Sequence, residues 1–173
     1  MESILRKLKG GDRRSVGRVN EVVADVLRKP AKLHVLFEGL RQEDPILRMR
    51  CADAIEKITA KRPELLRPYK ARLIREVAKI DQQEVRWHVA QLIPRLELSP
   101  EDRSVAWDIL LSYLQDDSKI VRTFSLQALA ELAENHVNLL PQVIEILEAH
   151  TSSGSAAVRS RGRRLLKKLR HLR

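Results

Sequence analysis

One five-point stripe recurs five times along this chain, and it restricts the fold more than any other feature. In residues 117–132, DSKIVRTFSLQALAEL, it falls on Val121, Ser125, Ala128, Leu129 and Leu132. Those offsets of 0, 4, 7, 8 and 11 trace one face of a helix with about 3.6 residues per turn. Stripes of the same spacing begin at Val16, Leu47, Val85 and Val158, at intervals of 31, 38, 36 and 37 residues. Their second column is small or of medium size (Asn20, Cys51, Val89, Ser125, Gly162) and their last is aliphatic (Leu27, Ile58, Leu96, Leu132, Leu169). Strand side chains alternate with a period of two, so a strand cannot carry this pattern. The recurrence predicts an all-α chain whose building unit is a repeat of 31–38 residues.

Start signals agree with the stripes. Asp44-Pro45 sets an N-cap aspartate before a proline at the first helical position, where the missing N–H costs nothing. Asp117-Ser118 offers a cap to the fourth stripe, and Asp12 to the first. Between these A helices lie shorter apolar segments, each introduced by a proline, at 30–41, 63–79, 99–115 and 138–150. Each is predicted to form a second, B helix, so that the unit is a helical hairpin. Gly10-Gly11 reads as a linker after a short N-terminal helix at 2–9. The chain is thus expected to be one domain, 1–173, with repeats at about 12–42, 44–80, 81–115 and 116–150 and a terminal half-repeat at 155–171.

The pattern D-x-x-x-V-R-x-x-(small)-x-x-A-L resembles HEAT repeats, most fully in DPILRMRCADAIEKI (residues 44–58) and DSKIVRTFSLQALAEL. The resemblance runs from Asp12 to Leu169. Gly17 replaces the arginine in the first copy, and Gly154 stands where the fifth would place its aspartate. The resemblance implies a right-handed α-solenoid of about four and a half hairpins that acts as a scaffold, usually through the concave B-helix face. It also implies an architectural role for two aligned columns, Asp44, Asp81 and Asp117, and Arg48, Arg86, Arg122 and Arg159. These charges would pair along the stack and satisfy backbone groups in the turns.

Chemistry is narrowed by exclusion. With 43% apolar and 32% charged residues, the chain is too apolar for disorder and too charged for a membrane protein. No run approaches the ~18–20 apolar residues of a membrane span, and the N-terminus lacks the apolar core of a signal peptide. A single cysteine forms no internal disulfide, so the cytoplasm is the expected compartment. Cys51 sits in the small column and reads as packing. His34, His88, His136, His150 and His171 show no metal-ligand spacing, and no phosphate-binding glycine loop occurs. The expectation is a protein with no catalytic residues, no metal and no cofactor, and with no small-molecule substrate.

What stands out lies off the pattern. Residues 1–80 hold 20 Lys/Arg against 11 Asp/Glu, residues 81–150 hold 5 against 12, and residues 151–173 hold 8 against none. On the second B helix, Arg67, Lys70, Arg75 and Lys79 avoid the apolar face of Leu66, Tyr69, Leu73 and Val77 and would form one basic strip. On the last helix, Arg159, Arg161, Arg163, Arg164, Lys167, Lys168, Arg170 and Arg173 surround the apolar face, and such strips suit phosphates or acidic partners. Trp87 falls outside the core columns, and Trp107 neighbours Asp108. HEAT-like alkylpurine DNA glycosylases use concave tryptophans with an acidic residue to hold damaged DNA, but their motif has no residue-by-residue match here.

These observations favour a non-enzymatic scaffold that binds another macromolecule, a protein, through its B-helix face. The candidate contacts are Arg67, Lys70, Arg75, Lys79, Trp107 and Asp108. The alternative is a nucleic-acid binder, or a repair enzyme of the glycosylase kind, using basic strips. Arg161, Arg163, Arg164, Lys167 and Lys168 are the candidate phosphate or acidic-partner contacts. No membrane partner is expected.

Overall fold

The computed structural model describes residues 3–12 and 14–172 of the chain. Among them every regular element is helical, and no helix is long and apolar enough to cross a membrane. The chain forms two compact units, residues 1–97 and 98–173.

The first unit holds α1 (Ile4–Leu8), α2 (Val19–Arg28), α3 (Leu33–Gly39), α4 (Pro45–Lys61), α5 (Lys70–Arg75) and α6 (Gln83–Leu92), with 3-10 turns at Pro30–Lys32, Pro63–Tyr69, Val77–Lys79 and Ile93–Arg95. Ser3 caps α1; the expected start at residue 2 lies outside the described residues. Helix α4 is central and packs against α1, α2, α3 and α6. Asp44 accepts from the backbone of Ile46 (2.9 Å) and Leu47 (3.3 Å), with Pro45 at the first helical position, as expected. The α4 stripe of Leu47, Cys51, Ala54, Ile55 and Ile58 is fully buried, and the α6 stripe of Val85, Val89, Leu92, Ile93 and Leu96 is buried too. Burying each large aliphatic side chain contributes about 1.5–3 kcal/mol, against about 1 kcal/mol for an N-cap. The stripe, not the cap, therefore decides which face turns inward.

Two expectations fail in this unit. The first stripe is shifted by one residue: Val16 is 50% exposed, whereas Val19, Val22, Val23 and Val26 are buried. The reason is Gly17, whose φ of 56° takes the chain out of helical geometry, so α2 begins only at Val19. Asp12 accepts from the Arg14 backbone in the preceding turn (2.9 Å) and does not cap α2, whose cap position is Arg18, with its side chain turned to Glu21 (2.7 Å). The second failure is the B helix at 63–79, which is broken into a 3-10 turn, α5 and a further 3-10 turn. Pro68 has no N–H for an i→i−4 bond, and the backbone tightens around it. Leu66, Leu73 and Val77 are still buried, and Tyr69 stacks on Phe37 at 4.1 Å.

The second unit holds α7 (Pro100–Tyr113), α8 (Lys119–Asn135), α9 (Leu140–Ser153) and α10 (Ala156–Arg170), with a 3-10 turn at Val137–Leu139. Ser99 caps α7 through the Asp102 N–H (3.1 Å), ahead of Pro100. Ser118, rather than Asp117, caps α8. The stripes of α8 (Val121, Ser125, Ala128, Leu129, Leu132) and α10 (Val158, Gly162, Leu165, Leu166, Leu169) are buried. Gly162 shows why the second column is small: a Cβ there would stand 2.0 Å from Thr151 Oγ1 on α9. Leu129→Asp is expected to abolish the folding of residues 98–173, seen as loss of their helical circular-dichroism signal. Leu172→Asp, at a site 48% exposed, should change stability by no more than about 0.5 kcal/mol. Equal damage from both would contradict the buried stripe.

Candidate functional site

The aligned arginines prove to be turn staples. Arg48 donates to the carbonyls of Gln42 (2.9 Å) and Glu43 (3.2 Å), Arg122 to that of Asp116 (2.9 Å) and Arg159 to that of Gly154 (2.9 Å). Arg86 reaches the Asp81 carboxylate instead (2.8 Å). Each fixes the chain five or six residues upstream of itself. Arg48 also donates to Gln82 Oε1 (2.8 Å), while Gln82 Nε2 donates to the Pro45 carbonyl (2.8 Å), which ties α4 to the start of α6.

A further arginine escapes the repeat pattern. Arg50 is only 2% exposed. Its guanidinium donates to the carbonyls of Leu8 (2.8 Å), Gly10, Asp12 (3.3 Å) and Ser15 (3.0 Å), and Nε donates to Ser15 as well (3.2 Å). All five N–H groups of the fork are thereby used. The loop closes this tightly because Gly11 and Gly17 adopt positive φ, and a Cβ added at either would stand only about 3 Å from the guanidinium. The Gly10-Gly11 linker is therefore a wrapped segment pinned from below. Buried charge leaves no trace in hydrophobic periodicity; the cluster of Gly10, Gly11 and Gly17 is the one sequence signal that could have pointed to it.

The basic strip of the second B region is not brought together as expected. Arg67 pairs with Glu97 (2.7 Å), and Lys70 Nζ donates to the Glu97 carbonyl (3.3 Å). Glu97 thus draws the first two cations to the edge of a small cleft formed by Pro63, Glu64, Arg67, Arg95, Leu96 and Glu97. Arg75 and Lys79 are exposed and lie beyond the break in the helix. Trp107 and Asp108 belong to the second unit, on α7, where Trp107 is half-buried and Asp108 exposed. Val105, one turn before Asp108 and Ile109, is 38% exposed. Trp87 is half-buried on α6, with its ring 5.6 Å from that of His88.

On α10, Arg161 donates to Gln127 Oε1 (2.9 Å) and lies 5.7 Å from the centre of the Phe124 ring. Lys168 pairs with Glu134 (2.6 Å) and Arg170 with Glu148 (2.7 Å). Arg163, Arg164 and Lys167 are exposed. Arg173 lies outside the described residues.

Reactive groups are locked into the core. Burial, helped by the charge of Asp44, pushes the Cys51 thiol up to about 12, which leaves no thiolate near neutrality. Burial pushes His88 down to about 4 against the smaller opposing pull of Glu56, so the imidazole is neutral where histidines usually titrate. No three His, Cys, Asp or Glu side chains gather to hold a metal ion among the described residues. A groove of about 460 Å³ between α2 and α4 is lined by Val23, Ala24, Leu27 and Ala60. Two of its rim charges are engaged, Lys57 with Asp53 (2.7 Å) and Glu56 with Arg95, while Lys61 is exposed.

Residues 107–136 match the family model described as HEAT repeat. The match runs from the second half of α7 through α8 and contains the Asp117, Val121-Arg122 and Ala128-Leu129 signature. The HEAT-repeat resemblance read from the sequence therefore holds over these residues, and the fold class is all-α. No curated protein matches the chain. Among solved structures, the crystal structure of an engineered protein from the Northeast Structural Genomics Consortium aligns with a TM-score of 0.67 and 15% identity, over 97% of this chain and 78% of its own. At that identity the likeness concerns fold and carries nothing about function.

The staples differ in depth, and their removal should differ accordingly. Arg122→Ala deletes one hydrogen bond to a turn and should cost about 1 kcal/mol, lowering the Tm by about 2–4 °C. Arg50→Met strands the carbonyls of Leu8, Gly10, Asp12 and Ser15 and should cost more than twice as much. Thermal melts that leave Tm unchanged in both variants would contradict a structural role for these charges.

Proposed function

We propose that the chain is a non-enzymatic, cytoplasmic scaffold that binds a protein partner through its B-helix surfaces. The observation that carries this reading is on α7, where half-buried Trp107 is followed by exposed Asp108, which shares a helix face with exposed Val105. A part-exposed aromatic with a charge beside it is the composition of an interface hot spot. The HEAT match begins at this tryptophan, and HEAT repeats serve as protein-interaction modules. The repeated Asp and Arg columns support the reading indirectly. The arginines, with Asp44 and Asp81, are engaged at turns and helix starts, so recognition falls to residues that vary between repeats.

The first unit offers Arg75 and Lys79 as exposed cations for an acidic partner. Arg67 and Lys70 are weaker candidates, because Glu97 already engages both. That internal pairing also argues against this strip as a phosphate-binding track.

Immobilised protein is expected to retain a discrete partner from native lysate. Trp107→Ala should lower the retained amount at least about tenfold, in line with a hot-spot loss of about 2 kcal/mol. Asp108→Lys, at an exposed position that leaves the core intact, should reduce it as well. Retention unchanged in both variants, with native circular-dichroism spectra, would overturn the assignment to α7.

A further inference from the structure

We propose that the outer face of α10 is a second interaction surface, which docks on the phosphate backbone of duplex DNA. It is independent of the α7 reading, because it rests on different residues and a different chemistry.

Helix α10 has three kinds of surface. Its inner face (Val158, Gly162, Leu165, Leu166, Leu169) is buried against α8 and α9. On its flanks the cations are engaged: Arg161 with Gln127 and Phe124, Lys168 with Glu134, Arg170 with Glu148 and Arg159 with the Gly154 carbonyl. The face opposite the core carries Arg163, Arg164 and Lys167. These three are exposed and make no hydrogen bond or ion pair among the described residues. Lys167 follows Arg163 by four residues and Arg164 by three, so the three cations share one turn of surface within a rise of about 6 Å. Neighbouring like charges on a helix are mutually destabilising. Here nothing on the helix relieves them, since residues 151–173 contain eight Lys/Arg and no acid.

The chemistry of this row selects its occupant. No aromatic or large apolar side chain is exposed along it, so it lacks the anchors of a protein hot spot and the platforms on which single-stranded bases stack. The apolar face of α10 is already buried, so the helix has none to insert into a bilayer. A dense row of cations, two of them arginines whose planar forks match phosphate oxygens bidentately, gains most from a polyanion that releases counterions as it binds. The row holds no Asn or Gln for adenine readout, and its cations are assigned to the phosphate backbone, where contacts position the duplex.

The test is fluorescence anisotropy of the full chain with a labelled 25-base-pair DNA duplex. Three neutralised phosphates give a slope of log K against log salt of about −2.7, so binding should weaken about 40-fold between 50 and 200 mM salt. The triple variant Arg163→Gln, Arg164→Gln, Lys167→Gln should lose at least about tenfold in affinity at 50 mM salt while keeping its helical spectrum. Arg75→Gln with Lys79→Gln should bind as the parent does. The proposal is overturned by absence of binding at 50 mM salt or by an unaffected triple variant. Tighter binding to the single strand, to polyglutamate or to anionic vesicles than to the duplex would overturn it equally.

Discussion

Burial of a stripe of five small or aliphatic positions on α4, α6, α8 and α10 is the interaction on which the other contacts depend. It sets the inward face of each A helix. Through its second column, it also sets how closely the neighbouring helix approaches. Gly162 is the clearest case, since Thr151 of α9 fills the space a side chain would need. Cys51 follows the same logic on α4, where Gly39 of α3 comes close enough that an added Cβ would meet Sγ at 2.4 Å. A thiol held so tightly is a packing element, and its raised pKa is a consequence of that burial.

Once the stripes are inside, the short turns between helices must satisfy their own carbonyls, and arginine supplies the donors. Arg48, Arg122 and Arg159 act locally, on turns just upstream. Arg50 acts over about forty residues of sequence, on the wrapped segment between α1 and α2. A buried guanidinium is tolerated only when its donors are all used and its charge meets oriented dipoles, and the carbonyls of Leu8, Gly10, Asp12 and Ser15 provide both. Most of the charge in this basic chain is consumed in this way or in ion pairs along helix faces. Exposed residues outside these pairings include Val105 and Asp108 on α7, Lys79 and the row of cations on α10.

How much was legible from sequence follows from which forces leave a periodic trace. Four stripes were read in register because Leu47, Val121 and Val158 each begin a continuous helical face, and the stripe begun at Val85 stays buried although α6 gives way to a 3-10 turn at Ile93. The first was misread by one residue because Val16-Gly17 imitates the Val-Arg anchor, while the backbone at Gly17 is not helical. The cap of α7 was legible in Ser99-Pro100, since capping depends on local chemistry alone. The break around Pro68 was written in the chain but outweighed by a correct apolar pattern: Leu66, Leu73 and Val77 are buried whether or not the helix is continuous. The Arg50 clamp and the capture of Arg67 and Lys70 by Glu97 were not legible, because they join residues about thirty to forty apart through side-chain geometry that no spacing rule encodes. On α10 the sequence marked a basic helix; only the structure separated the engaged cations from Arg163, Arg164 and Lys167.

The central claim, that the stripes and not the charged columns hold each unit together, is tested most directly by residue-resolved amide hydrogen exchange. The account predicts the slowest exchange in α4, α6, α8 and α10. It predicts much faster exchange in the turn at Pro63–Tyr69, where the helix is interrupted. Exchange in α4 and α8 as fast as in the turns, or continuous slow exchange through 63–79, would contradict it.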